Sequence, residues 1–229
     1  MLEIWGRKHS SSVIPVMWTV GELFLPYELH VSGGSFGGLD TPEFGRLNPN
    51  RQIPAIRDNG FPLWESHAII RYLAMKYGAG KLWPDDVQTA ATADQWLEWC
   101  KSLAFPAVFP LFWDTVRTPI TKRNPVLLAE KAAKAGDILA IIEAHLATNR
   151  YVAGATFSAG DIPLGAVIYR YLNVDVKRPP LPHIEAWYGR LTGRPAFQEH
   201  VMNFFGTNPE EWQELERLSG PQGATKRNV

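Results

Sequence analysis

Leu47 to Tyr77 carries the groups best spaced for chemistry, in the run LNPNRQIPAIRDNGFPLWESHAIIRYLAMKY. Ile53-Pro54 is an X-Pro bond before a short apolar stretch, Asp58-Asn59-Gly60 is a turn, and Glu65-Ser66 opens an amphipathic helix after a second apolar stretch. A strand end held open by proline leaves backbone groups for a ligand to pair with, in the manner of an added strand. A helix N-terminus carrying a hydroxyl favours an anion, because its first N–H groups have no partner and its dipole is positive there. Side by side, the two features bind an amino-acid-like ligand through main-chain groups. Upstream, Ser10, Ser11 and Ser12 stand before another helix start.

The elements that must position these groups follow from periodicity. Leu2 to Trp5 reads as a strand. Val13, Val16, Met17, Val20 and Phe24 recur at helical spacing and predict a helix from Val13 to Leu25. Pro15 fits only the first turn, which puts the start near Ser11 or Ser12, either of which can cap it. Tyr27 to Val31 reads as a second strand, and Ser32 to Arg46 as a glycine-rich loop. Its GGSFGG run lacks the GxGxxG spacing of a phosphate cradle. Ala55 to Arg57 and Pro62 to Trp64 predict an antiparallel hairpin. A helix from Ser66 to Tyr77 ends with Gly78 as its cap.

After the linker, Gln88 to Val116 is helical in period, with Pro106 and Pro110 expected to bend or break it. Asn124 to Leu146, Asp161 to Leu172 and Pro182 to Thr192 read as further helices. Asn208, Pro209 and Glu210-Glu211 start one more, which carries Trp212, Leu215 and Leu218. The expected organisation is an α/β domain over 1–79, a linker over 80–87 and an all-helical domain over 88–205. A C-terminal extension over 206–229 holds a short helix and, after Ser219, a mobile tail.

Composition narrows the class of protein. The chain has 229 residues, is 45% hydrophobic and carries 23 basic against 23 acidic side chains. A zero formal charge argues against nucleic acid or an anionic membrane as main partner. Cys100 is the single cysteine, so no intrachain disulfide forms and a reducing compartment is expected. The charged N-terminus MLEIWGRKHSSS lacks the apolar core of a signal peptide, and no apolar run approaches the roughly 20 residues of a membrane span. The six histidines show no metal-ligand spacing. No metal is expected.

The strand, serine-headed helix, strand, NPxxxIP, hairpin and Glu-Ser helix, followed by helices alone, resemble a cytosolic glutathione transferase over about residues 1–205. The likeness is strongest to serine-type members and a bacterial branch beginning WGR-x-x-S. Each piece alone also reads as a turn proline, an ordinary N-cap or packed aromatics; the set is specific. The resemblance implies an α/β thioredoxin-like N-terminal domain followed by an all-α C-terminal helical domain. It further implies glutathione as co-substrate, a small hydrophobic electrophile, a homodimer and a cytoplasmic location.

Residue by residue, the resemblance implies a cis Ile53-Pro54 bond whose Ile53 backbone pairs with the cysteinyl part of glutathione. Ser66 would hold the γ-glutamyl carboxylate, and Glu65 the ligand's ammonium. Ser10 falls on the serine-type catalytic position, donating a hydrogen bond that stabilises the thiolate. Ser12 either replaces it or only caps the helix. Relatives carry lysine where this chain has Gln52, so Gln52 and neighbouring Arg51 are the candidates for the glycyl carboxylate. The electrophile would face Phe105, Phe109, Phe112, Trp113 and Arg117, with Trp212 as a cover. Ser158 and Asp161 resemble the family's helix-capping motif, Ser158 accepting from the Asp161 N–H and Asp161 reaching back, a structural rather than a catalytic part. Cys100 reads as a partly buried residue without a catalytic part.

Three functions fit these residues: transfer of glutathione to an electrophile, a glutathione-dependent disulfide reductase or peroxidase using the same site, and a non-catalytic binding protein that keeps the fold.

Overall fold

The computed structural model describes residues 1–220. The tail from Pro221 onward, expected to be mobile, lies outside them. Strand β1 (Leu2–Gly6) is central. It pairs in parallel with β2 (Tyr27–Val31) and antiparallel with β3 (Ala55–Asp58), which pairs with β4 (Phe61–Trp64), giving the order β2-β1-β3-β4. Helix α1 (Val13–Glu22) makes the crossover between β1 and β2, as a parallel pair requires. Helix α3 (Ser66–Tyr77) packs beside α1 and buries Ile69, Ile70 and Leu73.

Two expectations for this half change. Helix α1 stops at Glu22 rather than Leu25, because Phe24 lies at φ 52° in the left-handed region and turns the chain toward Pro26. The loop from Ser32 to Arg46 contains a helix, α2 (Pro42–Leu47). Thr41 Oγ1 caps it by accepting from the Phe44 N–H, Pro42 sits in its first turn, and Phe44 and Leu47 bury one face.

The second half is entirely helical. Helix α4 (Val87–Trp99) runs through a π-turn (Cys100–Ala104) into α5 (Phe105–Phe112) and a second π-turn (Trp113–Arg117). Pro106 and Pro110 therefore do not break this helix. The wider turns before and after α5 absorb the hydrogen bonds that prolines cannot donate. Next come α6 (Pro125–Leu146), α7 (Asp161–Asn173), α8 (Pro182–Thr192), the short and unanticipated α9 (Pro195–His200) and α10 (Pro209–Leu218). Asn208 Oδ1 caps α10 by accepting from the Glu211 N–H.

One core runs through both halves. Trp18 of α1 is fully buried, edge-on to Phe197 with centroids 4.7 Å apart. Gly165 of α7 permits this approach, since a Cβ there would stand 2.7 Å from the Trp18 ring. Asp161 is fully buried at the head of α7. Its Oδ1 accepts from Val152 N–H and Trp187 Nε1–H, and its Oδ2 from the Ser158 N–H and hydroxyl. Asp161 thus reaches back to the Ser158 N–H as expected, but the Ser158 hydroxyl donates rather than accepts, and its carbonyl oxygen takes the Asp161 N–H at 3.1 Å. Cys100 is fully buried, not partly, and burial pushes its thiol pKa up. No helix among the described residues is long and apolar enough to cross a membrane.

Candidate active site

The loop from Arg7 to Ser12, between β1 and α1, places the serines. Ser10 donates its N–H to the Arg7 carbonyl, and its own carbonyl accepts from both Val13 and Ile14 N–H groups. A backbone oxygen therefore caps α1, and Ser12, in the N-cap position, makes no side-chain capping bond. The capping part assigned to Ser12 is not seen, which leaves its hydroxyl available for other partners. Helix α1 begins directly behind the three serines, so its positive dipole end lies at them.

Ser10, Ser11 and Ser12 line a cleft of about 130 Å³ that opens to solvent. The same cleft is lined by Phe105, Phe109, Phe112, Trp113 and Arg117, and by Trp212 of α10. Every residue expected for the apolar pocket therefore lines a single cleft with the serines. Phe105 and Phe109 stack at 5.0 Å, and Phe112 meets the buried Trp212 edge-on at 5.7 Å. A smaller adjoining pocket shares Ser11, Phe105 and Phe109 and is lined also by Val108, Val167 and Arg170.

The residues expected to hold glutathione sit at the start of β3 and the head of α3. The Ile53-Pro54 bond is cis. Pairing of β3 with β1 and β4 begins only at Ala55, so the Ile53 N–H and C=O take no part in it. Gln52 is exposed, and its carbonyl accepts from Asn48 Nδ2 at 2.8 Å. Arg51 is also exposed, but its Nη1 is engaged by the Leu39 and Thr41 carbonyls at 2.9 and 3.2 Å. Ser66 is the first residue of α3; the N-cap position belongs to Glu65, whose side chain makes no capping bond. Glu65 stands at φ 71°, a strained position for a residue with a side chain, of the kind that clusters at ligand sites. Its carboxylate accepts from Lys101 Nζ at 3.0 Å, so a cation from the helical half already sits beside it.

Several residues of the cleft were not singled out by the sequence reading. Arg7 lines it and pairs with Glu216 of α10, a carboxylate almost wholly buried. Arg170, buried in α7, donates from Nη2 to the His9 carbonyl at 2.8 Å. His9 also lines the cleft; burial, with Lys8, Arg170 and Arg7 nearby, pushes its pKa down to about 4, so it is neutral at pH 7. Burial pulls the Arg170 pKa down to about 9, with Tyr169 opposing and Arg7 and Arg117 adding to the fall. The guanidinium stays charged at neutral pH. Arg7 and His9 come from the serine-bearing loop, whereas Arg170 and Glu216 come from α7 and α10, so no local pattern joins the four. Among the described residues no cluster of three or more His, Cys, Asp or Glu could hold a metal ion.

A βαβ unit and an antiparallel hairpin in one four-stranded sheet, a cis-proline just before β3 and an all-helical second half define a thioredoxin-like domain joined to a helical domain. Residues 9–76 match the family described as Glutathione S-transferase, N-terminal domain, and residues 125–190 match Glutathione S-transferase, C-terminal domain. Glutathione S-transferase GstB of Escherichia coli is 36% identical over 204 residues, covering 88% of this chain and 98% of the relative. Glutathione S-transferase 3 of Zea mays is 32% identical, covering 87% and 93%. The theta class glutathione S-transferase of Xanthomonas axonopodis pv. citri, solved with glutathione bound, superposes with a TM-score of 0.84 at 41% identity, covering 89% of this chain and 98% of that one. The chain belongs to the glutathione S-transferase family and is a glutathione transferase, with glutathione as its co-substrate.

Proposed function

We propose that this enzyme is of the serine type: Ser10 donates its hydroxyl hydrogen bond to the glutathione sulfur and holds it as thiolate for attack on an apolar electrophile. The observation that carries this reading is the shared cleft, which the serines at the head of α1 line together with Phe105, Phe109, Phe112 and Trp113. A thiolate at the serines would meet an apolar molecule held on the aromatic rings. Ile53 would pair its free backbone groups with the cysteinyl unit of glutathione. Ser66 and the N-terminus of α3 would take the γ-glutamyl carboxylate, and Glu65 the ammonium.

For the glycyl carboxylate, the Gln52 side chain is the better placed of the two candidates, since the Arg51 guanidinium is already bound to two carbonyls. The protein's own thiol offers no competing chemistry: Cys100 is fully buried and its thiol is held protonated. Family membership supports a homodimer acting in the cytoplasm.

The direct test is the ionisation of bound glutathione, read from the ultraviolet absorbance of its thiolate as pH is raised. With the unaltered enzyme the bound thiol should titrate well below a free alkyl thiol. In Ser10→Ala that depression should be largely lost, with kcat down by about 10–1000-fold and little change in glutathione affinity. A larger loss in Ser12→Ala would move the donor to that position. An unshifted thiol in the unaltered enzyme would sink the serine-type mechanism.

A further inference from the structure

Aromatic rings and hydroxyls share the lining of the cleft, and its charged groups have one sign. Arg7 and Arg117 line it, Arg170 lines the adjoining pocket that shares Ser11, Phe105 and Phe109, and no aspartate or glutamate among the described residues lines either. Glu216, a buried carboxylate of α10, pairs through Oε2 with Arg7, while its Oε1 has no hydrogen-bond partner among the described residues. Arg117 lies between two indoles, its Cζ 4.4 Å from the Trp113 ring and 4.6 Å from Trp212. Arg170 lies over Phe112 at 4.0 Å and stands 5.9 Å from the same Trp212 ring. Its side chain is 5% exposed, and while Nη2 binds the His9 carbonyl, Nη1 has no hydrogen-bond partner among the described residues.

A buried guanidinium nitrogen without a partner is costly, and structures rarely tolerate one unless a ligand or water completes it. Two guanidinium groups left over after the Arg7–Glu216 pair, flanking one indole in an aromatic cleft, match a molecule that is flat and apolar with an anion at one end.

We propose that the electrophile of this enzyme carries a carboxylate, received by Arg170 Nη1 and Arg117 while its apolar body lies against Phe105, Phe109 and Trp212. The substrate class is an electrophilic aromatic or other apolar acid. This rests on the transferase reading above and specifies its second substrate. With an aryl halide, the glutathione sulfur forms a bond to the ring carbon, the carbon–halogen bond breaks, and the halide leaves with the bonding electrons. The thiol proton passes to solvent. The carboxylate takes no part in bond making and acts only by orienting the ring.

The test uses a matched pair of aryl halides, para-chloro-meta-nitrobenzoate and the corresponding benzamide. Each kcat/KM is divided by the rate of its uncatalysed reaction with glutathione. The acid should be favoured tenfold or more, and Arg117→Gln should bring that ratio close to one. Arg170→Met should do the same if it folds. Because it need not fold, calorimetry supplies an independent reading: benzoate should bind the full-length enzyme with S-methylglutathione at least tenfold more tightly than benzamide, and lose that margin in Arg117→Gln.

Equal turnover of acid and amide, with equal binding of benzoate and benzamide, would overturn the carboxylate site and leave the transferase mechanism standing. If neither halide is turned over but benzoate still binds preferentially through Arg117, the serine mechanism fails and the anion site stands.

Discussion

Arg170 donates from Nη2 to the carbonyl oxygen of His9 at 2.8 Å, joining residues 161 positions apart. This bond ties the serine-bearing loop of the sheet domain to the centre of the helical domain. Replacing Arg170 by methionine has two opposed effects on stability. The orphaned His9 carbonyl costs about 1–3 kcal/mol. Removing a buried, half-paired cation that faces Arg7 and Arg117 returns a similar amount. We expect Arg170→Met to change unfolding free energy by less than about 2 kcal/mol while kcat falls tenfold or more, because the loop is no longer held. Denaturant unfolding beside steady-state kinetics checks both halves.

Ser66 heads α3, and its substitution should act on binding more than on turnover. A hydrogen bond to a charged group is worth about 1.5–3 kcal/mol, so Ser66→Ala should weaken glutathione binding about tenfold or more. Calorimetric titration measures it, and an unchanged Kd would remove the γ-glutamyl role.

Lys101 and Glu65 form an exposed pair across the two domains, with side chains 52% and 49% exposed. Such a pair adds little to stability, about 0–1 kcal/mol. Its effect on glutathione should be larger, since the lysine competes with the ligand's ammonium for the same carboxylate. Lys101→Gln should tighten glutathione binding severalfold at low salt, with the gain shrinking as ionic strength rises. Weaker binding in the variant would mean that Lys101 itself touches the ligand.

His67, buried in α3, has its pKa pushed down to about 4, first by burial and then by Lys101 and Arg71, with Glu98 opposing. Its unfolded value is near 6.5, so between pH 6.5 and 4 the unfolded chain binds the extra proton. Stability is then fully present above pH 6.5 and falls as pH drops through that window. His67→Gln should lose this dependence, so the stability difference between the two proteins should change by up to about 3 kcal/mol across it. Unfolding curves at a series of pH values decide the point. A parallel fall in both proteins would assign the effect to other groups, His9 first among them.

Asp161 holds four donors at the head of α7, and Asp161→Ala would strand them all. We expect a loss of about 3–5 kcal/mol, the range for breaking a buried charged network. Asp161→Asn, which keeps an acceptor oxygen, should lose less. Thermal unfolding of the two variants side by side distinguishes loss of the network from simple cavity formation.

Much of this protein was legible in its sequence because the deciding forces are local. The spacing of Val13, Val16, Met17 and Val20, the Asp58-Asn59-Gly60 turn and the Asn208-Pro209 start each specify an element through neighbours within a few residues. The N-terminal strand, hairpin and helix order was enough to identify the family by resemblance. Two helices passed unread for different reasons. The Thr41-Pro42 signal for α2 was present but hidden by the glycines before it, and α9 is only six residues long.

The tertiary structure alone decided the charge of the cleft. Arg7, Arg117, Arg170 and Glu216 belong to separate segments, and nothing in their own neighbourhoods marks them as partners. Long-range packing, Trp18 against Gly165 above all, brings α1 to α7 and thereby Arg170 to His9. The same holds for Lys101, 36 residues from the carboxylate it meets. An ion pair or a buried guanidinium depends on which segments are driven together when apolar surface leaves water, and side-chain spacing along the chain does not encode that.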